Sequence, residues 1–199
     1  MASLQEHLKS PDQSIRLKAA LAAGTYPESD YIPILIHQCA VEPDFFVRDT
    51  LSWALMRHDR ETVVSSLIPE LKSLIPQARS QALHTLSKIG DKGNYYLITC
   101  EHFFDEDDSV ASTAWRAASV LVPEDKKTEL VEILVTQLGR GDGDTQFGLT
   151  RFLCTIGEPI VKPLEDAAKS DNENVRVHAE ITLIRFKELQ LEFKKLQSN

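Results

Sequence analysis

One pattern constrains this chain more than any other: it repeats itself. PDQSIRLKAALAA (11–23) aligns with PDFFVRDTLSWAL (43–55), so that proline, aspartate, a β-branched residue and arginine coincide at an offset of 32. IPQARSQALHTL (75–86), DDSVASTAWRAA (107–118), DGDTQFGLTRFL (142–153) and DNENVRVHAEITL (171–183) follow at offsets of 31, 32, 35 and 30. A period near 30–35 without strand-like alternation is the mark of stacked helical repeats, and each copy has room for two helices.

Every copy reads as the second helix of a pair. Asp12, Asp44, Asp107 or Asp108, Asp142 or Asp144, and Asp171 or Asn174 stand where an N-cap belongs. Pro11, Pro43 and Pro76 mark the same helix starts, where a missing N–H costs little. Gly24, Gly90 and Gly157 follow the last apolar position and read as C-caps. First helices are expected at about 30–41, 61–73, 93–104, 125–138 and 158–169, with Pro33 and Pro163 kinking two of them. The expected fold is therefore all-α: a right-handed α-α superhelix, or α-solenoid, of about six helix pairs in one domain over 1–199. Its repeats fall at about 1–24, 29–58, 60–90, 92–122, 124–157 and 158–199.

The signature Pro-Asp-x-x-Val-Arg-x-x-x-x-x-Ala-Leu at 43–55, with the stretches 42–58 and 76–91, resembles HEAT repeats of the phycobilisome-lyase-like subtype, as found in small bacterial proteins. The resemblance covers nearly the whole chain. It specifies the fold far better than an activity, because this fold hosts scaffolds, transport factors, lyases and glycosylases.

A wheel at 100° per residue sorts the second helices into faces. The inward stripe holds Val47, Leu51, Ala54, Leu55 and His58. Its equivalents are Ile15, Ala19 and Ala23; Ala78, Ala82, Leu86 and Ile89; Val110, Ala114, Ala118 and Leu121; Leu149, Leu153 and Ile156; and Val175, Ala179, Leu183 and Phe186. The outward columns read Leu21, Trp53, His84, Arg116, Arg151, Ile181, then Leu17, Asp49, Ser80, Ser112, Phe147, Val177, and Gly24, Met56, Ser87, Ser119, Cys154, Ile184. Arg57, Lys88 and Arg185 flank them. In a HEAT array these columns line the concave surface, so the candidate groove is Asp49, Trp53, Met56, Arg57, His84, Lys88, Arg116, Phe147 and Arg151.

The chain carries a formal charge of −8, which on its own repels nucleic acid and anionic membranes. Its acids fall mainly in loops and first helices (Glu28, Asp30, Asp59, Glu61, Asp105, Glu106, Glu124, Asp125, Glu129), leaving the groove locally basic. Exposed aromatics beside arginines are the composition of a binding hot spot and fit an acidic or amphipathic protein or peptide partner. The same residues could instead pack between repeats, with the arginines pairing to loop acids. Arg16, Arg48, Arg79 and Arg176 form a separate column, expected to pair with the cap aspartates.

Catalytic signatures are missing from the sequence. It contains no HExxH, no CxxC and no His–Glu dipeptide. Its six histidines lie on separate repeats or out of helical register, so neither metal nor cofactor is expected. DEDDSV (105–110) has Val110 at the glycine position of a calcium loop and Arg116 at its bidentate glutamate; GRGDG (139–143) lacks the GK[ST] of a phosphate loop. The competing reading is a nucleic-acid binder resembling the HEAT-like DNA alkyl-base glycosylases, with Trp53 and Asp49 on one helix face and the groove cations around them. About five groove positives fall short of the six or more phosphate contacts that give strong binding. The three cysteines, the polar N-terminus and the lack of a long apolar run predict a cytoplasmic protein without a membrane segment. The last segment, 178–199, is expected either to cap the array or to dock on another chain.

Overall fold

A computed structural model describes residues 3–197; residues 1–2 and 198–199, the outer ends of the first and last expected repeats, lie outside the described residues. The chain forms two compact units, Met1–Asp91 and Lys92–Asn199.

Unit 1 contains three helix pairs: α1 (Leu4–Leu8) with α2 (Gln13–Thr25), α3 (Tyr31–Val41) with α4 (Phe45–Leu55), and α5 (Arg60–Leu67) with α6 (Pro76–Ile89). Unit 2 repeats the plan: α7 (Cys100–Phe103) with α8 (Asp108–Leu121), α9 (Lys127–Val135) with α10 (Gly143–Ile156), and α11 (Val161–Ala167) with α12 (Glu173–Gln197). The second helices run 11 residues or more, whereas several first helices are shorter than expected. Pro69 follows α5 and leaves only a 3-10 turn at Glu70–Lys72. Gly93 and Asn94 turn the expected 93–104 helix into a 3-10 segment (Lys92–Leu97) and the single turn α7. Helices this short do not persist alone, so packing against the second helices holds them.

Pro33 and Pro163 are each the third residue of their helix, in α3 and α11. The first-turn N–H groups have no intrahelical acceptor, so neither proline removes a helix hydrogen bond there and both helices continue beyond it. Aspartate capping holds at Asp12 (2.8 Å to the Ser14 N–H), Asp44 (3.0 Å to Val47), Asp107 (2.9 Å to Ser109) and Asp142 (2.9 Å to Thr145). Each cap contributes about 1 kcal/mol. At α12 the cap is Asn172, whose Oδ1 accepts from the Asn174 N–H at 3.0 Å, and neither Asp171 nor Asn174 does this work.

The arginine column has a different role from the one expected. Its members close the turn preceding their own helix. Arg16, Arg48, Arg79 and Arg176 donate through Nη1 to the carbonyls of Ser10, Glu42, Ser73 and Ser170, six residues upstream in every case and at 2.8–2.9 Å. A fixed guanidinium fork supplies these turn carbonyls with a donor, where an aspartate side chain has nothing to give. Gln146 stands in for arginine in the fifth copy, with Nε2 3.4 Å from the Gly139 carbonyl and 3.3 Å from that of Gly141. In the fourth copy the column holds Ala111, and Arg140 from the next turn takes over. It donates to the Asp105 and Phe103 carbonyls, pairs with Asp108 at 2.8 Å, and lies 5.7 Å over the buried ring of Trp115.

Glu42 is the polar hub of unit 1. Its side chain is fully buried, and its carboxylate accepts from Arg16 Nε (2.9 Å) and Nη2 (2.8 Å), Gln38 Nε2 (2.9 Å) and the Asp44 N–H (3.1 Å). Its carbonyl accepts from Arg48 and from Gln77 Nε2 (2.8 Å). All three pairs of the unit therefore converge on this residue. Burial opposes ionisation of Glu42, but the four donors outweigh it and hold the carboxyl below its ordinary range.

In unit 2 the buried His178 joins α12 to α10. The Gly139 N–H donates to its Nδ1 at 3.0 Å, so the neutral ring carries its proton on Nε2 and donates to Thr150 Oγ1 at 3.1 Å. Thr150 then donates to Thr182 (2.9 Å), and Thr182 to the His178 carbonyl (2.8 Å). Protonating Nδ1 would set two donors against each other. Burial already lowers the ring's pKa below the ordinary 6.5. Below about pH 6.5 the unfolded chain gains a proton that the folded chain refuses, so the contribution of His178 to stability is full above that pH and declines beneath it. Thermal melts at pH 7.5 and pH 5.5 should show a larger acid loss for wild type than for His178→Asn. Equal losses would remove His178 from the account.

Candidate functional site

The outward face divides between the two units. In unit 1, α4 carries Asp49, Trp53 and Met56, with Arg57 just beyond its end, and α6 carries His84 and Lys88. Lys88 Nζ hydrogen-bonds Asp49 Oδ1, and His84 Nε2 lies 3.7 Å from the same oxygen. The Lys88 hydrogen bond, against partial burial and with help from the Lys88 charge and the neighbouring His84 ring, holds the Asp49 carboxyl below the usual range. Asp49, His84 and Lys88 therefore form a cross-repeat ion cluster tying α4 to α6. Trp53 is half-buried because its ring lies on the backbone of Gly24, while Met56 (37%) and Arg57 are exposed.

Gly24 is consequently not a C-cap. Helix α2 continues to Thr25, and a Cβ at 24 would sit 2.3 Å from Cζ3 of Trp53. Gly90 does end α6 in the left-handed region, at φ 71°. Two further residues of the outward columns, Ser80 and Ser119, are buried. Ile15, placed on the inward stripe, is 39% exposed because α1, with five residues, is too short to cover α2. That gap forms an apolar groove of about 560 Å³ between Leu4, Ile15, Ala19, Ala22, Tyr26 and Tyr31, which the repeat pattern gave no sign of.

Unit 2 brings the other three expected residues to one place. Arg116 from α8 and Phe147 and Arg151 from α10 line a groove of about 580 Å³. Phe147 is 60% exposed, and the Arg151 guanidinium stands 6.0 Å from its ring centroid. Arg185 of α12 adds a third guanidinium and pairs with Glu188 at 3.2 Å. Val120, Phe152 and Leu189 supply apolar wall. Cys154 also borders the groove, and burial raises its thiol pKa, so it is a poor nucleophile. The sequence did signal Arg185, which shares the flanking column of Arg57 and Lys88, but Phe152 and Leu189 belong to no outward column.

Among the described residues no group of three or more His, Cys, Asp or Glu side chains is placed to hold a metal ion. No described helix is long and apolar enough to cross a membrane.

No family model matches the chain. No curated protein matches it in sequence. Solved structures do. An engineered protein is 19% identical, with 93% of this chain and 95% of that one covered and a TM-score of 0.50. The karyopherin Kap121p, bound to the extreme C-terminus of the protein phosphatase Cdc14p, is 18% identical with a TM-score of 0.63; the match covers 93% of this chain and 23% of the karyopherin. The CpcE–CpcF complex of phycocyanin lyase from Nostoc sp. PCC7120 is 19% identical over 90% of this chain and 75% of that one, with a TM-score of 0.44. The fold is all-α, of stacked helix pairs in the HEAT/ARM manner.

Proposed function

We propose that the chain is a non-catalytic binding scaffold whose second-helix faces take an acidic or amphipathic segment of a protein or peptide. The observation that carries this reading is the unit-2 groove, where Arg116, Arg151 and Arg185 surround exposed Phe147 and an apolar wall. Guanidinium forks bind carboxylates in bidentate fashion, and an aromatic anchor beside them supplies the contact area typical of a hot spot. Trp53, Met56 and Arg57, next to the Asp49–His84–Lys88 cluster, are the corresponding face of unit 1. The similar fold of Kap121p, which holds the extreme C-terminus of Cdc14p, supports peptide recognition on such a scaffold. We assign the repeats to the phycobilisome-lyase-like HEAT subtype on the 43–55 signature, and the protein to the cytoplasm on its free cysteines.

The test is fluorescence anisotropy of labelled acidic amphipathic peptides titrated with wild type and with Arg151→Ala/Arg185→Ala, both matched by circular dichroism. Arg151 and Arg185 are exposed, so the variant should fold normally. Binding should weaken at least tenfold, or about 1.4 kcal/mol. Equal affinity for both proteins would refute the groove. Binding to duplex DNA with a steep salt slope would favour the nucleic-acid reading instead, although three groove arginines are few for that task.

A further inference from the structure

Resting on this reading of the unit-2 groove, we propose that its ligand lies as an extended polyproline II segment across α8, α10 and α12, with acidic side chains at every third residue. Arg116 and Arg151 occupy the same column of successive repeats, and Arg185 stands one turn further along the next helix. The guanidiniums thus form a ladder with one rung per second helix. Packed helices stand 8–10 Å apart. A polyproline II chain has three residues per turn and rises about 3.1 Å per residue, so each turn covers about 9 Å and returns one carboxylate to the same face for each rung. A helix needs about six to seven residues for the same advance.

A groove hydroxyl favours the extended form. Thr155 lines the groove and is exposed, and its hydroxyl already donates to its own helix, to the Arg151 carbonyl at 2.9 Å. What remains on its oxygen is acceptor capacity. A polyproline II segment has unpaired main-chain N–H groups to offer this acceptor, whereas a helical ligand has spent most of its own internally. The two side chains between successive carboxylates would occupy the other faces of the segment, one of them toward Phe147 and Phe152 on the apolar wall.

The experiment compares three labelled peptides of equal length and charge, titrated with the full chain. The first has glutamate at every third position with proline and valine between, which prevents a helix. The second has the same residues with the glutamates clustered, and the third is alanine-rich with glutamates seven apart. The first should bind at least tenfold more tightly than the others. Removing its third glutamate should weaken binding in wild type but have little further effect in Arg185→Gln. If the helical peptide binds best, or all three bind alike, the extended register is wrong while the acidic groove stands. If none binds, the acidic groove falls with it.

Discussion

Arg16→Ala should destabilise unit 1 by roughly 3 kcal/mol, the loss that follows when one partner of a buried ion pair is removed. The guanidinium makes two hydrogen bonds to the buried Glu42 carboxylate and another to the Ser10 carbonyl. Without it, Gln38 and the Asp44 N–H remain as donors to a charge that water cannot reach. Urea unfolding followed by circular dichroism measures the effect. Adding Glu42→Gln to Arg16→Ala should recover part of the loss, because the stranded charge is then gone. The pH dependence has a fixed sign. The folded pKa of Glu42 is depressed, so its contribution is present above about pH 4.5 and is lost as pH falls through the folded value. A cost under 1 kcal/mol for Arg16→Ala would show that Glu42 is not the junction of the three pairs.

Gly24→Ala reverses the ordinary rule for helices. Alanine inside a helix is normally worth about 1 kcal/mol over glycine. Here the new methyl would lie 2.3 Å from the Trp53 ring and 2.9 Å from Cα of Ala54, so the indole must shift and α2 must also move away from α4. Overpacking of this kind costs about 2 kcal/mol. Tryptophan fluorescence should change along with stability, and Trp53→Ala in the Gly24→Ala background should cost less than the two substitutions summed. A Gly24→Ala protein as stable as wild type would mean that the indole is not held there.

These two residues also show what the sequence can and cannot convey. The repeat period, the aspartate caps and the apolar stripe are local regularities, and they located every second helix. Gly24 satisfies the local rule for a C-cap, and its actual purpose depends on Trp53, 29 positions further on. The arginine column is visible in the sequence, but a string of side chains does not display main-chain carbonyls, so nearby aspartates are the partners it suggests. The first helices are shorter than the apolar periodicity implies, because that periodicity continues through Pro69 and through Gly93–Asn94, where the backbone cannot. On the candidate face, residue type could not separate Lys88 and His84, gathered around Asp49, from Arg151, which stands over Phe147.

The turn-closing arginines bear on how such a chain can be copied and recombined. A segment that holds both its turn and its own Arg16, Arg48, Arg79 or Arg176 brings that closure along when it is duplicated or grafted elsewhere. The fourth copy has lost this independence, because the carbonyls of its turn are held by Arg140, which belongs to the fifth. A graft cut between Leu121 and Lys127 would leave the Asp105 turn open and the indole of Trp115 without its covering guanidinium. Copies four and five are therefore a single heritable block, and a consensus built by averaging one repeat at a time would erase the device that joins them.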